Sequence, residues 1–295
     1  MTTGPGLAGP GLADPGLADP GLARVGRTAL GVAMVRAIES RRRDRLFCDP
    51  YAAAFLAAAP KVFDRAEGGA VACLSGLSRT GASFWSRAVI RTRFFDDYLV
   101  DAAGAGVRQT VLLAAGLDTR AYRLNWPAGV RLFELDLPEV LDFKRQVLAS
   151  QSAKSRCDYR PVPADLREDW ATLLTGAGLR IDQPTAWLLE GLLIYLSAAE
   201  VVHVLSTLDE LSAAGSWVAF ESETADAETL QRQARELPAL AEYAELWQGG
   251  LADPAGWLAA REWQTEIHDL GAAANRYGRY ATELSGSGFL TATRR

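Results

Sequence analysis

The chain has 295 residues, of which 49% are apolar types and 23% are charged, a composition typical of a globular protein with a large core. Its formal charge is −5, so there is no basic excess to favour nucleic acid or an anionic membrane surface. Three cysteines without a CxxC pair and only two histidines argue against a disulfide framework and against a metal centre.

The N-terminal segment is a repeat rather than a folded region. Residues 5–23 read PGLAG-PGLAD-PGLAD-PGLA, with one large apolar side chain per unit and prolines that interrupt helices and sheet ladders. We expect residues 1–26 to be a disordered leader and residues 27–295 to form one domain. The start lacks the charged and apolar parts of a secretory signal, and no apolar run approaches the roughly 18 residues of a membrane span. The expected compartment is the cytoplasm.

Helical spacing dominates the next part of the chain. It predicts helices over 28–45, 51–58 and 84–103, with a mobile connection over 61–83. Residues 27–105 therefore form an expected helical cap region.

Residues 106–295 alternate between apolar runs of strand length and helical segments, which is typical of a mostly parallel sheet. The predicted strands are 110–115, 130–135, 159–162, 186–189 and 217–220, followed by a closing pair at 263–268 and 289–293. The predicted helices are 138–150, 166–174, 197–213 and 225–235, and Ser197 with Glu200 forms a capping box. Right-handed crossovers then give a three-layer α/β sandwich.

Acidic residues and glycines follow the predicted strands. In an open α/β sheet the ligand lies at the carboxyl ends of the strands, so these positions are the candidate site. Gly116 allows close approach of the backbone to a ligand, and Asp136, twenty residues later, has the spacing of a ribose-binding carboxylate. Asp165 could accept from an adenine amino group while Leu166 packs the ring edge. Glu190 ends the fourth strand.

These strand ends favour S-adenosylmethionine over a dinucleotide. Only Gly116 occurs where the three glycines of a phosphate-cradling G-x-G-x-x-G would stand, so a pyrophosphate has no evident seat. S-adenosylmethionine has a ribose, an adenine, an amino acid moiety and a sulfonium cation but no phosphate. The carboxylates at the strand ends and one arginine therefore suit S-adenosylmethionine better than a dinucleotide.

Five blocks of sequence resemble the leucine carboxyl methyltransferase superfamily, in particular its bacterial branch of S-adenosylmethionine-dependent methyltransferases. They are RTRFFDD at 91–97, VLLAAGLDTRAYRL at 111–124, FELDLP at 133–138, VPADLR at 162–167 and EGLLIYL at 190–196. The similarity covers about residues 28–280. It implies a class I methyltransferase fold: a Rossmann-like three-layer sandwich with a mostly parallel seven-stranded sheet and an N-terminal helical cap, with a further cap insertion near 230–262.

The resemblance also implies roles by position. Arg91 resembles the arginine that binds the methionine carboxylate, with Arg93 as the alternative, and Gly116 with the backbone at Ala114 resembles the turn under the cofactor. Asp136 matches the ribose-binding acid, Asp165 and Leu166 the adenine-side pair, and Glu190 the acid beside the methionine end. Ala114 departs from the family, because many relatives have glycine there.

The predicted function is therefore S-adenosylmethionine-dependent methylation, with O-methylation of a carboxylate or hydroxyl on a small molecule, in secondary metabolism, as the favoured chemistry. No catalytic residue, acceptor or oligomeric state follows from the sequence. Two alternatives stay open: a catalytically silent protein that keeps the cofactor pocket, and an NAD(P)-dependent oxidoreductase. Binding of NAD(H) would indicate the second, and cofactor binding without turnover the first.

Overall fold

The computed structural model describes residues 20–60, 79–223, 246–279 and 287–295, with a few positions between 228 and 235. Within the described ranges, three helices precede the sheet: α1 (Pro20–Arg41), α2 (Ala52–Ala58) and α3 (Arg79–Gly104). Helix α1 thus begins inside the segment expected to be a leader. Residues 1–19 of that segment, most of the expected connection over 61–83 and much of the expected helix over 225–235 lie outside the described residues.

Seven strands form one sheet, as predicted. They are β1 (Gln109–Leu113), β2 (Arg131–Asp136), β3 (Asp158–Pro163), β4 (Thr185–Leu189), β5 (Trp217–Glu223), β6 (Trp263–Asp269) and β7 (Ser287–Arg294), in the order β3-β2-β1-β4-β5-β7-β6. Strands β1 to β5 are parallel, and β7 lies antiparallel between β5 and β6. The fold is α/β with a mostly parallel sheet.

Helices connect the strands. They are α4 (Arg120–Arg123), α5 (Pro138–Ser150), α6 (Trp170–Gly176), α7 (Ala198–Glu210), α8 (Pro254–Ala259) and α9 (Leu270–Arg276), with a 3₁₀ turn over Leu193–Tyr195. The capping box at Ser197 is present: its hydroxyl accepts from the Glu200 amide, and the Glu200 carboxylate accepts from the Ser197 amide. Helix α6 begins later than predicted because the Asp169 side chain, accepting from the Thr172 amide, caps it there.

Side-chain alternation along the strands feeds two apolar layers. Val111, Phe133 and Trp187 pack on α6, α7 and α8, whereas Leu112, Leu132 and Leu188 pack on α3 and α9. All five residues of β1 and all five of β4 are buried, as a sheet covered on both faces requires. Among the described residues, no helix is both long and apolar enough to cross a membrane.

The order of the strands fixes where a ligand can enter. The chain passes from β1 to β2 and β3 on one side and then returns to β4 and β5 on the other, so β1 has β2 and β4 as neighbours. In open α/β sheets, the loops that leave two such neighbouring strands run in opposite directions, and ligands bind between them at the carboxyl ends of the strands. The residues that follow β1, β2, β3 and β4 therefore lie at the edge of the sheet where ligands bind in open α/β folds.

Candidate cofactor and active site

The turn after β1 is built around two left-handed residues. Ala114 has φ 50° and Gly116 has φ 52°. A left-handed conformation suits Gly116, which lacks a Cβ, but it is strained at Ala114. The turn therefore forms with alanine at position 114, at some conformational cost.

Asp136 joins this turn to the end of β2. Its Oδ2 accepts from the Gly116 amide at 2.6 Å, and its Oδ1 accepts from the Leu137 amide at 2.7 Å. Burial raises the pKa of Asp136, although both amides favour the ionised form. Each carboxylate oxygen keeps a further lone pair, so the ribose role predicted for Asp136 is compatible with these bonds.

Asp165 and Leu166 lie beside Asp136, because the Ala164 amide donates to the Asp136 carbonyl at 2.9 Å. The Asp165 carboxylate accepts from the Arg167 side chain at 2.5 and 2.9 Å, which holds the pKa of Asp165 below its ordinary value. Leu166 is buried in the apolar layer under α6 and α7. Asp165 does not cap α6, whose N-cap residue is Asp169.

Glu190 lies at the end of β4 between two arginines. Its Oε1 accepts from Arg91 Nε at 2.9 Å, and its Oε2 accepts from Arg120 Nη1 at 2.7 Å. Burial opposes ionisation, but Arg120 and then Arg91 outweigh it and hold the pKa of Glu190 below its ordinary value. Glu190 is therefore a carboxylate at this edge of the sheet.

Arg91 reaches the strand ends, whereas Arg93 does not. Arg91 Nη1 donates to Glu221 Oε1 at 2.8 Å, in addition to its bond to Glu190. Arg93 instead donates to the Leu46 carbonyl and pairs with Asp97 on the outer side of α3. Of the two arginines considered from sequence, the geometry favours Arg91.

Glu221 was not predicted as a site residue. Its carboxylate accepts from the Gly191 amide at 2.9 and 3.0 Å and from Arg91, so it fixes both the loop after β4 and the arginine. The predicted fifth strand ends at Phe220, and the strand-end rule applied to that strand would have found Glu221 next in sequence.

Helix α1 covers the turn after β1. A Cβ placed on Gly116 would lie 3.5 Å from the Ala29 Cβ. Arg36 Nη2 donates to the Leu117 carbonyl at 2.6 Å and its Nε to Asp49, which also accepts from the Thr119 hydroxyl. Buried hydrogen bonds therefore fix α1 and the segment that follows it to the loop that carries Gly116.

The sheet order and the residues at the strand ends define the class: this is the fold of class I methyltransferases. Two solved structures cover nearly the whole chain and show the same fold at low sequence identity. A DUF574 family protein from Streptomyces avermitilis has TM-score 0.55 and 14% identity over 92% of this chain and 97% of its own. A methyltransferase-like structure from Thermobifida fusca has TM-score 0.52 and 18% identity over 95% and 99%.

Sequence comparison places the chain more narrowly. The family model for leucine carboxyl methyltransferase matches residues 29–209, and the chain belongs to that family. A protein of Frankia alni, named "Putative S-adenosyl-L-methionine-dependent methyltransferase", is 51% identical over 270 residues, which cover 91% of this chain and 94% of the relative. A protein of the same description from Rhodococcus jostii is 42% identical over 266 residues, covering 87% and 88%.

Proposed function

We propose that this methyltransferase transfers the methyl group of S-adenosylmethionine to an oxygen of a small molecule, with a carboxylate preferred over a hydroxyl. The donor follows from membership in the family and from the description shared by its relatives. When bound, the donor supplies an electrophilic methyl group on a positively charged sulfur.

The donor set fits this molecule. Asp136 offers carboxylate lone pairs beside the open turn at Gly116, where ribose hydroxyls would donate. Arg91 and Glu190 together present one cation and one anion, which complement the carboxylate and the ammonium of a methionine moiety. Asp165 and Leu166 would flank the adenine. The Arg91–Glu190 pair at the end of β4 is the observation that carries the proposal.

The reaction needs little more from the chain than alignment. Displacement at a sulfonium neutralises charge and its thioether leaving group requires no protonation, so holding donor and acceptor in line is the main task. A carboxylate acceptor is already ionised at pH 7 and needs no general base.

The described histidines are not placed as bases. His203 is exposed on α7, and the His268 ring bonds the Thr291 hydroxyl at 2.8 Å and lies 5.0 Å from the Phe94 ring.

Calorimetric titration with S-adenosylmethionine, S-adenosylhomocysteine and NADH tests the donor, with Asp136→Ala as the matched variant. We expect micromolar binding of the first two, lost in Asp136→Ala, and none of NADH. Methyl transfer to a panel of carboxylic acids and phenols tests the acceptor, because a methyl ester releases methanol in base and a methyl ether does not. Base-stable product alone would contradict the carboxylate preference.

A further inference from the structure

We infer that Arg120 is a positioning residue for donor binding, which holds Glu190 oriented and ionised at the end of β4. The inference rests on the proposed function, in which Glu190 binds the methionine end of the donor. Arg120 itself is too deeply buried to touch a ligand, since its side chain is 2% exposed.

All three guanidinium nitrogens of Arg120 are engaged. Nε donates to Asp96 Oδ1 at 2.7 Å, Nη1 to Asp118 Oδ2 at 2.5 Å and to Glu190 Oε2 at 2.7 Å, and Nη2 to the Thr92 carbonyl at 3.3 Å. Asp96 and Thr92 belong to α3, and Asp118 to the loop after β1. A guanidinium anchored on two elements can set the position of a carboxylate on a third.

The charges around Glu190 make its ionisation depend on Arg120. Glu190 is in contact with Arg91 from α3 and Arg120 from α4, and it faces the like charge of Asp118. Further out, Glu221 on β5, Arg87 on α3 and Tyr195 in the 3₁₀ turn surround Arg91. Burial and Asp118 both raise the pKa of Glu190. Without Arg120, mainly Arg91 would oppose them, so Glu190 would take up a proton at a higher pH. A neutral Glu190 loses its attraction for the donor's ammonium group.

Calorimetric titration of Arg120→Gln with S-adenosylmethionine between pH 5 and pH 7 measures this dependence. That interval lies below the α-amino pKa of about 8, so the donor's ammonium stays charged. We divide the Kd of Arg120→Gln by that of the natural protein at the same pH. Below the pKa that Glu190 has in the variant, we expect this ratio to rise about tenfold for each pH unit. Dividing by the natural protein cancels the titration of Asp136.

Arg123→Gln is the matched control. Arg123 is similarly buried, its side chain being 4% exposed, and it bonds the same Asp96 at 2.5 and 2.6 Å without any hydrogen bond to Glu190 among the described contacts. We expect it to lose thermal stability while its Kd ratio stays constant with pH. Arg120→Lys keeps the positive charge but cannot contact Asp96, Asp118 and Glu190 at the same time. We therefore expect it to bind the donor more weakly by a factor that does not change with pH.

Glu190→Gln separates this inference from the proposed site. Weaker binding by Glu190→Gln, and no pH dependence when it is combined with Arg120→Gln, would support both. If Glu190→Gln binds as tightly as the natural protein, the proposed site and the inference both fail. If Glu190→Gln binds weakly but Arg120→Gln behaves like Arg123→Gln at every pH, only the role of Arg120 is overturned. Should Arg120→Gln not fold, Arg120→Lys with unchanged affinity would refute the orienting role.

Discussion

The buried ion pair between α5 and β2 should make one substitution costly in a pH-dependent way. Lys144 Nζ lies 2.6 Å from Glu134 Oε2, with side chains 1% and 0% exposed. Tyr159 also donates to Oε2 at 2.7 Å, and Oε1 has no hydrogen-bond partner among the described residues. Lys144→Met would leave Glu134 buried without its cation. Breaking a buried pair in this way costs about 3–5 kcal/mol in the free energy of unfolding.

The dependence on pH has a definite sign. Burial already raises the pKa of Glu134 despite Lys144, and removal of Lys144 would raise it further. A carboxyl whose pKa is higher in the folded state than in the unfolded chain binds its proton more tightly when folded. The folded state is therefore favoured at low pH, and stability falls as pH rises towards the folded pKa, by up to about 1.4 kcal/mol per unit. The free energy of unfolding of Lys144→Met should therefore differ least from that of the natural protein near pH 5 and most near pH 8.

Urea unfolding followed by tryptophan fluorescence at pH 5, 6.5 and 8 measures the loss. Arg145→Met is the control on the same helix, since the Arg145–Asp142 pair is 69% and 62% exposed and should contribute less than about 1 kcal/mol. Glu134→Gln combined with Lys144→Met should recover much of the loss and remove its pH dependence. Equal losses in Lys144→Met at pH 5 and pH 8 would refute the electrostatic explanation.

Two further substitutions test backbone and capping. Ala114→Gly should stabilise the fold by about 0.5–1 kcal/mol, because relief of roughly 1–2 kcal/mol of left-handed strain exceeds the entropy that glycine loses. Ala115 is next in the same turn but does not have a positive φ, so Ala115→Gly should destabilise the fold. A higher urea midpoint for Ala115→Gly than for Ala114→Gly would contradict this explanation. Ser197→Ala should cost about 1 kcal/mol through loss of the α7 capping box, whereas Ser197→Asp should keep most of it; equal midpoints for the two would exclude a capping role.

The sheet could be predicted because its strands are buried on both faces and read as apolar runs. Position at a strand end was then enough to select Asp136 and Glu190 as candidates, and the structure places both at the carboxyl ends of their strands, β2 and β4. Glu221 was missed because the rule was applied only to the first four predicted strands and not to the fifth, whose apolar run ends at Phe220.

Other features depend on partners far away in sequence. The bond between Arg120 and Glu190 joins residues 70 positions apart, and no local pattern in the chain indicates it. The pair of Arg120 with Asp118, at 2.5 Å, joins residues only two positions apart. Helices α8 and α9, which have six and seven residues, were also not predicted from the sequence.

The bonds that fix α1–α3 to the loop after β1 limit how these helices could be exchanged for those of a relative. Arg36 and Asp49 hold Leu117 and Thr119, and Asp96 of α3 holds Arg120. A chimaera that takes these helices from a relative while keeping the native loop would bury charges whose counterions stayed behind. Residues 117–123 must therefore be exchanged together with the helices. For the same reason, substitutions in either segment are constrained by the residues of the other.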